Sequence, residues 1–285
     1  MSLLAVVFDF DDTLLPDSTS ALLREHGLDP DEFWSRRVKG LVDEGYDPPL
    51  AYLNLLLRLV GPGKPLGELT NTKLRDFGAA LDHTWFSGLP GLFEDLRSIV
   101  GRPQFRDISI EFYVISGGLQ AVIEGSQHIG KYVRGVYGCQ LGEDDESGLV
   151  SNIKRCVTFT EKTRFLFEIN KGISPADAAT QPHLVNQLVP EDVRPVPLSN
   201  MIYIGDGLTD IPCFSLIERG GGVAFGVFQS GEESAKQAFQ RFLETKRVRS
   251  LYYPEYGKDD QLGSMLRAAV VTTCSNIMIR AARAV

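Results

Sequence analysis

Four short stretches of this 285-residue chain carry side chains whose types and spacing can do chemistry. Asp9-Phe10-Asp11-Asp12-Thr13 sets three carboxylates within four residues. Like charges so close repel one another unless a cation gathers them. Ser116-Gly117-Gly118 offers a hydroxyl followed by two residues whose backbone N–H groups stay open to an anion. Gly205-Asp206-Gly207-Leu208-Thr209-Asp210 supplies two more carboxylates. Lys162, at the start of a helix, is the best-placed cation to complete a phosphate cradle, with Lys154 and Lys171 nearby. Carboxylates of the first and last stretches together suit a hard cation. Mg²⁺ is the first choice, because it takes few protein oxygens and keeps its waters.

Such groups have to be brought together by rigid elements. The run Leu4 to Phe8 (Leu, Ala, Val, Val, Phe) reads as a strand buried on both faces, with the acids at its C-terminal end. Glu111 to Ile115 reads as a second strand, ending in the turn at Ser116. Asn200 to Ile204 ends in Gly205-Asp206-Gly207, and Gly222 to Val227 is a fourth. A strand with a hairpin is expected within Val133 to Lys154, and residues 173–199, rich in proline, read as a long loop or a small excursion. Helices are expected after Gly91, over about Leu119 to His128, from a Thr160 cap to Gly172, from a Ser230/Glu233 capping box to about Lys246, and from Asp260 onward. Strands alternating with helices make an α/β fold with a doubly wound parallel sheet, whose ligands bind outside the carboxyl ends of the strands.

Between the first and second strands the pattern is different. Ser18 can cap a helix to about His26, Pro30 and Pro49 open two more, and Asn71 to Leu81 follows the GPGKPLG linker. Roughly seventy residues without β-type alternation suggest an inserted helical bundle. The division expected is an α/β core of residues 1–16 and 88–285 with a helical cap of residues 17–87.

Composition narrows the classes. The chain is 43% hydrophobic and 23% charged, as in ordinary globular proteins. A net charge of -8 argues against nucleic acid or an anionic membrane as partner. Four cysteines without CxxC spacing read as core residues of a reducing cytosol. No signal peptide fits, because Asp9 interrupts the N-terminal apolar run, and no stretch reaches the eighteen apolar residues of a membrane span. A cytoplasmic location is therefore expected. The four histidines lack metal-ligand spacing, and Tyr252, Tyr253 and Tyr256 read as packing.

In order, DFDDT, VISGG, a lysine at a helix start and GDGLTD resemble the four signature motifs of the haloacid dehalogenase (HAD) superfamily of phosphohydrolases. The likeness covers most of the chain outside the helical insertion, and its first and last motifs are specific. It implies a Rossmann-like core with a cap, and a Mg²⁺-dependent phosphatase of a small phosphorylated metabolite. Asp9 would attack phosphorus and become an aspartyl phosphate. Asp11 would protonate the leaving alkoxide and then activate water. Thr13, Ser116, Gly117 and Lys162 would hold the phosphoryl group. Asp9, Asp206 and the Asp11 carbonyl would ligate Mg²⁺, with Asp210 orienting Lys162 or reaching the metal through water, and Gly205 and Gly207 shaping the last motif. A cap between the first two motifs is similar to that of the phosphoserine phosphatase branch. The same fold leaves room for a phosphomutase, for a phosphonate hydrolase using Lys39, Lys64 or Lys73, and for a non-catalytic binding module. Trp34, Arg36, Arg37, Tyr46 and Tyr52 are candidates for substrate contact. A weak carboxylate nucleophile needs its target's charge neutralised by a cation and a lysine, and a second carboxyl two residues along can serve the leaving oxygen.

Overall fold

A computed structural model describes residues 2–229 and 251–283. The strands are β1 (Ser2–Phe8), β2 (Ile108–Leu119), β3 (Val133–Glu143), β4 (Val150–Arg155), β5 (Met201–Gly205), β6 (Val223–Val227) and β7 (Leu251–Tyr252). They form one seven-stranded sheet in the order β4-β3-β2-β1-β5-β6-β7. Every pairing is parallel except β3 with β4, the expected hairpin. From β1 the chain builds outward to one side through β2 and β3, then crosses back and builds to the other through β5, β6 and β7. The reversal at β1/β5 is the topological switch point where open α/β sheets bind ligands. Phe8 lies level with Val114 of β2 and Ile204 of β5. Asp9 therefore leaves the sheet between Ile115-Ser116 on one side and Gly205-Asp206 on the other.

The helices are α1 (Ser18–Glu25), α2 (Pro30–Glu32), α3 (Lys39–Asp43), α4 (Pro48–Arg58), α5 (Asn71–Ala80), α6 (Gly91–Val100), α7 (Gln120–Gly125), α8 (Gln127–Tyr132), α9 (Glu161–Lys171), α10 (Pro175–Thr180), α11 (Ile211–Arg219) and α12 (Gln261–Arg283). A π-helical segment, Phe33–Val38, joins α2 to α3. Alternate residues of β1 face opposite layers. Leu4, Val6 and Phe8 pack with Leu92, Phe93 and Leu96 of α6 and with Leu266, Val270 and Ile277 of α12. Ala5 and Val7 belong to the other layer, with Phe165 and Leu166 of α9 and Phe214 and Ile217 of α11. Leu22, Phe33, Leu53 and Leu74 of the helical insertion join that second layer. Both faces of β1 are thus dry, as its continuous apolar run requires.

Within the insertion, α5 is fused to the core by glycines. A Cβ on Gly78 would stand 1.9 Å from the Val122 carbonyl oxygen of α7, and one on Gly125 would stand 2.0 Å from the Arg75 oxygen. The two helix backbones meet where neither has a side chain.

Several local expectations are corrected. The cap of α1 is Asp17, whose carboxylate accepts from the Thr19 N–H, and not Ser18, which is already the first helical residue. α4 opens at Pro48, one residue before Pro49. The Thr160 side chain makes no cap bond to α9, since Thr160 already has helical φ/ψ. The helix expected over 119–128 breaks at Ser126, whose hydroxyl caps α8. β2 runs through Ser116-Gly117-Gly118 where a turn was expected. It advances four residues, from Ile115 to Leu119, while β3 advances two, from Tyr137 to Cys139. The motif is therefore a bulge, which the two glycines permit. α12 is long and apolar enough by length and composition to cross a membrane, although no run of eighteen consecutive apolar residues occurs; one face packs on the sheet. The Ser230/Glu233 capping box lies outside the described residues.

Candidate active site

Asp9 is held by the end of its own strand. Its N–H donates to the Ile204 carbonyl of β5, 2.8 Å, and its Oδ1 accepts from the Phe10 N–H at 2.7 Å. Its Oδ2 meets the Lys162 ammonium at 2.7 Å, and Lys162 donates also to Asp210 Oδ1 at 2.8 Å. Lys162 comes from the first turn of α9 and is 1% exposed, with Asp9 at 5% and Asp210 at 0%. Asp210 is fixed on its other sides by the Tyr203 hydroxyl, 2.6 Å to Oδ1, and the Gly207 N–H, 2.9 Å to Oδ2. A Cβ on Gly205 would stand 2.5 Å from Asp210 Cγ, so the last motif needs glycine there.

Asp206 completes the cluster: oxygen atoms of Asp9, Asp206 and Asp210 lie within 4.8 Å of one another. Burial, offset by Lys162, raises the Asp9 pKa to about 6. Burial and the neighbouring Asp9 and Asp210 charges push Asp206 well above the usual carboxylate range. For Lys162 burial works against the charge, yet Asp210 and Asp9 outweigh it and the ammonium is held. Three buried or half-buried carboxylates share one lysine. The surplus negative charge and the all-oxygen donor set fit a hard divalent cation such as Mg²⁺.

Asp11 turns away from this cluster. Its Oδ1 accepts from the Ser18 N–H, 2.8 Å, at the N-terminus of α1. Its Oδ2 would be 2.3 Å from a Cβ on Gly118, so only glycine fits beside it. Burial and the Asp17 charge raise the Asp11 pKa to about 8, which favours the protonated carboxyl that a proton donor needs. Asp12 adopts a left-handed φ of 54°, a conformation Asp tolerates better than most residues. Its carboxylate receives the Gln229 amide at 3.1 Å. The Thr13 hydroxyl is fully buried without a partner, and the Thr13 carbonyl accepts from Tyr256 at 2.7 Å. Ser116 is 1% exposed, and its Oγ accepts from the Gly118 N–H at 3.0 Å.

A cavity of about 380 Å³ opens over Asp9, Asp11, Ser116 and Asp206, while Thr13, Lys162 and Asp210 are buried and do not line it. Asp9, Asp11, Ser116, Gly117, Asp206 and Gly207 line its polar part, and Trp34, Val38, Pro48, Tyr52, Val157 and Phe159 its apolar part. Of the cap candidates, Trp34 and Tyr52 line the cavity; Arg36, Arg37 and Tyr46 do not. Neither do Lys39, which pairs with Asp43, Lys64, or Lys73, which donates to the Glu68 carbonyl. Lys171 is spent on the Val185 and Gln187 carbonyls, and Lys154 lines a separate hollow. Lys162 is the lysine at the site. Sequence reasoning missed Tyr203, Cys139 and Tyr256, whose polar tips serve the site from apolar runs that read as core or packing, and it offered Tyr52 for substrate contact without its bond to the Gly117 carbonyl.

An uncharacterized protein from Borreliella burgdorferi is 31% identical over 239 residues, covering 76% of this chain and 79% of its own length. No family model matches the chain. Among solved structures, a HAD family hydrolase from Salmonella enterica serovar Typhi superposes with a TM-score of 0.54 at 16% identity, covering 88% of this chain and 67% of its own. A putative beta-phosphoglucomutase from Thermotoga maritima gives a TM-score of 0.39 at 15% identity, over 90% of this chain and 95% of its own.

Proposed function

We propose that this chain, which belongs to the family of the Borreliella burgdorferi protein and has the fold of a HAD family hydrolase, is a Mg²⁺-dependent phosphomonoester hydrolase acting through an aspartyl phosphate. One observation carries the reading: Lys162 bridges Asp9 and Asp210 at 2.7 and 2.8 Å, in a carboxylate cluster at the switch point of the sheet. A buried lysine aimed at the strand-end carboxylate is what a carboxylate nucleophile needs when it approaches an anionic phosphoryl group.

Asp9 attacks phosphorus, and Lys162 neutralises both the nucleophile and the arriving oxygens. Asp9, Asp206 and the Asp11 carbonyl would hold Mg²⁺, which when bound would supply charge that offsets the repulsion between carboxylate and phosphate. The Ser116 hydroxyl and the unpartnered Thr13 hydroxyl are donors for phosphoryl oxygens, with the backbone at Gly117. Asp11, kept apart from the cluster by the Ser18 N–H, gives its proton to the leaving oxygen and later takes one from water. Asp210, clamped by Tyr203 and Gly207, orients Lys162.

Residues 17–87 act as the cap, in the manner of the phosphoserine phosphatase branch, and Trp34, Val38, Pro48 and Tyr52 bring an apolar wall to the site. That wall suits a small cytoplasmic phosphomonoester with an apolar portion in its leaving group. Hydrolysis of p-nitrophenyl phosphate with Mg²⁺ is expected for the wild type, with a loss of at least ~10³-fold in Asp9→Asn. A wild-type protein that binds Mg²⁺ yet cleaves no phosphate ester would sink the proposal.

A further inference from the structure

We infer that Tyr52 is a positioning residue of the site: its hydroxyl, with the Cys139 thiol, fixes the Gly117–Gly118 peptide and through it the Ser116 hydroxyl that receives the phosphoryl group. The inference rests on the phosphatase reading above and adds to it a residue from outside all four motifs.

The Gly117 carbonyl oxygen accepts two hydrogen bonds from unrelated parts of the chain. The Tyr52 hydroxyl of α4 donates at 2.6 Å, and the Cys139 thiol of β3 donates at 3.2 Å. In a trans peptide the C=O and the following N–H point in opposite directions. Pinning the Gly117 oxygen therefore also aims the Gly118 N–H, which donates to Ser116 Oγ at 3.0 Å. A hydroxyl that accepts an N–H keeps its own proton free to give. That proton is then available to a phosphoryl oxygen.

The clamp answers a need created by the sequence. The bulge contains two adjacent glycines, the residues with the widest backbone freedom, so the peptide between them can rotate at little cost. A bulkier residue cannot stiffen Gly118, because a Cβ there would stand 2.3 Å from Asp11 Oδ2. Hydrogen bonds to the carbonyl of that peptide supply from outside the rigidity that a side chain at position 118 cannot.

Tyr52 is itself well anchored. It is 6% exposed, and burial pushes its pKa well above the usual phenol range, so it remains a donor. Its ring packs on Trp34, with centroids 5.6 Å apart. Trp34 Nε1 donates to Ser20 Oγ at 2.9 Å, and Ser20 donates to Asp17, the cap of α1. The next residue, Ser18, holds Asp11. The helical insertion thus grips the acid of the first motif at one end of this chain of contacts and the phosphate bulge of the second motif at the other.

Tyr52→Phe keeps the ring and its packing and removes only the donor. With Mg²⁺ present, calorimetry should show affinity for inorganic phosphate reduced about tenfold. The kcat/KM values for phenyl and p-nitrophenyl phosphate should fall by the same factor, because the defect lies at the phosphoryl group. Cys139→Ala should weaken phosphate binding in the same direction, and it serves as the test should Tyr52→Phe not fold. An active wild type whose Tyr52→Phe and Cys139→Ala variants bind phosphate normally overturns this inference alone. A Tyr52→Phe loss that differs between the two esters also overturns it, and makes Tyr52 a leaving-group contact. A wild type that binds no phosphate and cleaves no ester removes the phosphatase reading and this inference with it.

Discussion

Lys162 spends its charge on two carboxylates at once, and its removal separates two effects. Lys162→Met leaves Asp9 and Asp210 buried without their cation, at a cost to folding stability of roughly 3–5 kcal/mol. Part of that loss should be recovered by Mg²⁺ in a urea titration, because the metal supplies charge to the same cluster, whereas activity should stay absent. Equal destabilisation with and without Mg²⁺ would show that the cluster holds no metal. Asp11 has a different signature. Asp11→Ala should slow hydrolysis of an alkyl phosphate by ~10²–10⁴-fold and of p-nitrophenyl phosphate by much less, since nitrophenolate departs without a proton. Equal losses on both esters would deny Asp11 the role of acid. At this scale the sequence was readable where candidate groups are neighbours in the chain, as Asp9 and Asp11 are at the end of β1. It was silent where a polar tip reaches across the fold. Tyr203 sits in an apolar strand run and Tyr52 in an apolar helix run, and neither spacing reveals that one hydroxyl ends on Asp210 and the other on Gly117.

Among the elements, β1 was the most legible, because an unbroken apolar run admits little else than a strand covered on both faces. The ends of β5 and β6 followed from the same pattern. The bulge in β2 was not legible: two glycines after a strand favour a turn locally, and only the pairing with β3 shows that the strand continues beyond them. The seat of α5 on α7 was hidden for a related reason. Apolar periodicity marks faces that carry side chains, while this contact is made by two residues that have none. Gly78→Ala would place a methyl 1.9 Å from the Val122 carbonyl oxygen, and backbone on both sides leaves nothing flexible to yield. A loss of ~1–3 kcal/mol is expected from thermal or urea unfolding, with a similar result for Gly125→Ala. Unchanged stability in both variants would mean that the helices separate freely. The α12 helix gives the opposite lesson: its length and apolarity fit a membrane span by composition alone, and its packing beside α6 shows where its apolar face goes.

For the whole molecule, the switch point decides where chemistry can occur. Reversal of strand order at β1/β5 brings the ends of three strands and the start of α9 to one edge, so residues 9, 116, 162 and 206 meet although they are spread over two thirds of the chain. Cluster and cavity belong to the folded state alone. Mg²⁺ should therefore raise the melting temperature of the wild type by mass action, and a chelator should reverse it. A melting temperature indifferent to Mg²⁺ over a wide concentration range would remove the metal from the account. The union of α5 with α7 bears on turnover. Because α5 is seated on α7 through Gly78 and Gly125, a cap made of residues 17–87 would not lift as a unit. Under the phosphatase reading, movement that admits substrate would fall to the part of the insertion that carries Tyr52, with the glycine-rich link at residues 61–67 as its joint to α5. Tyr52 rides on that moving part, so each opening would break its bond to Gly117 and slacken the phosphate bulge, and each closing would restore both. Release of inorganic phosphate and admission of the next ester would then be timed by the same swing.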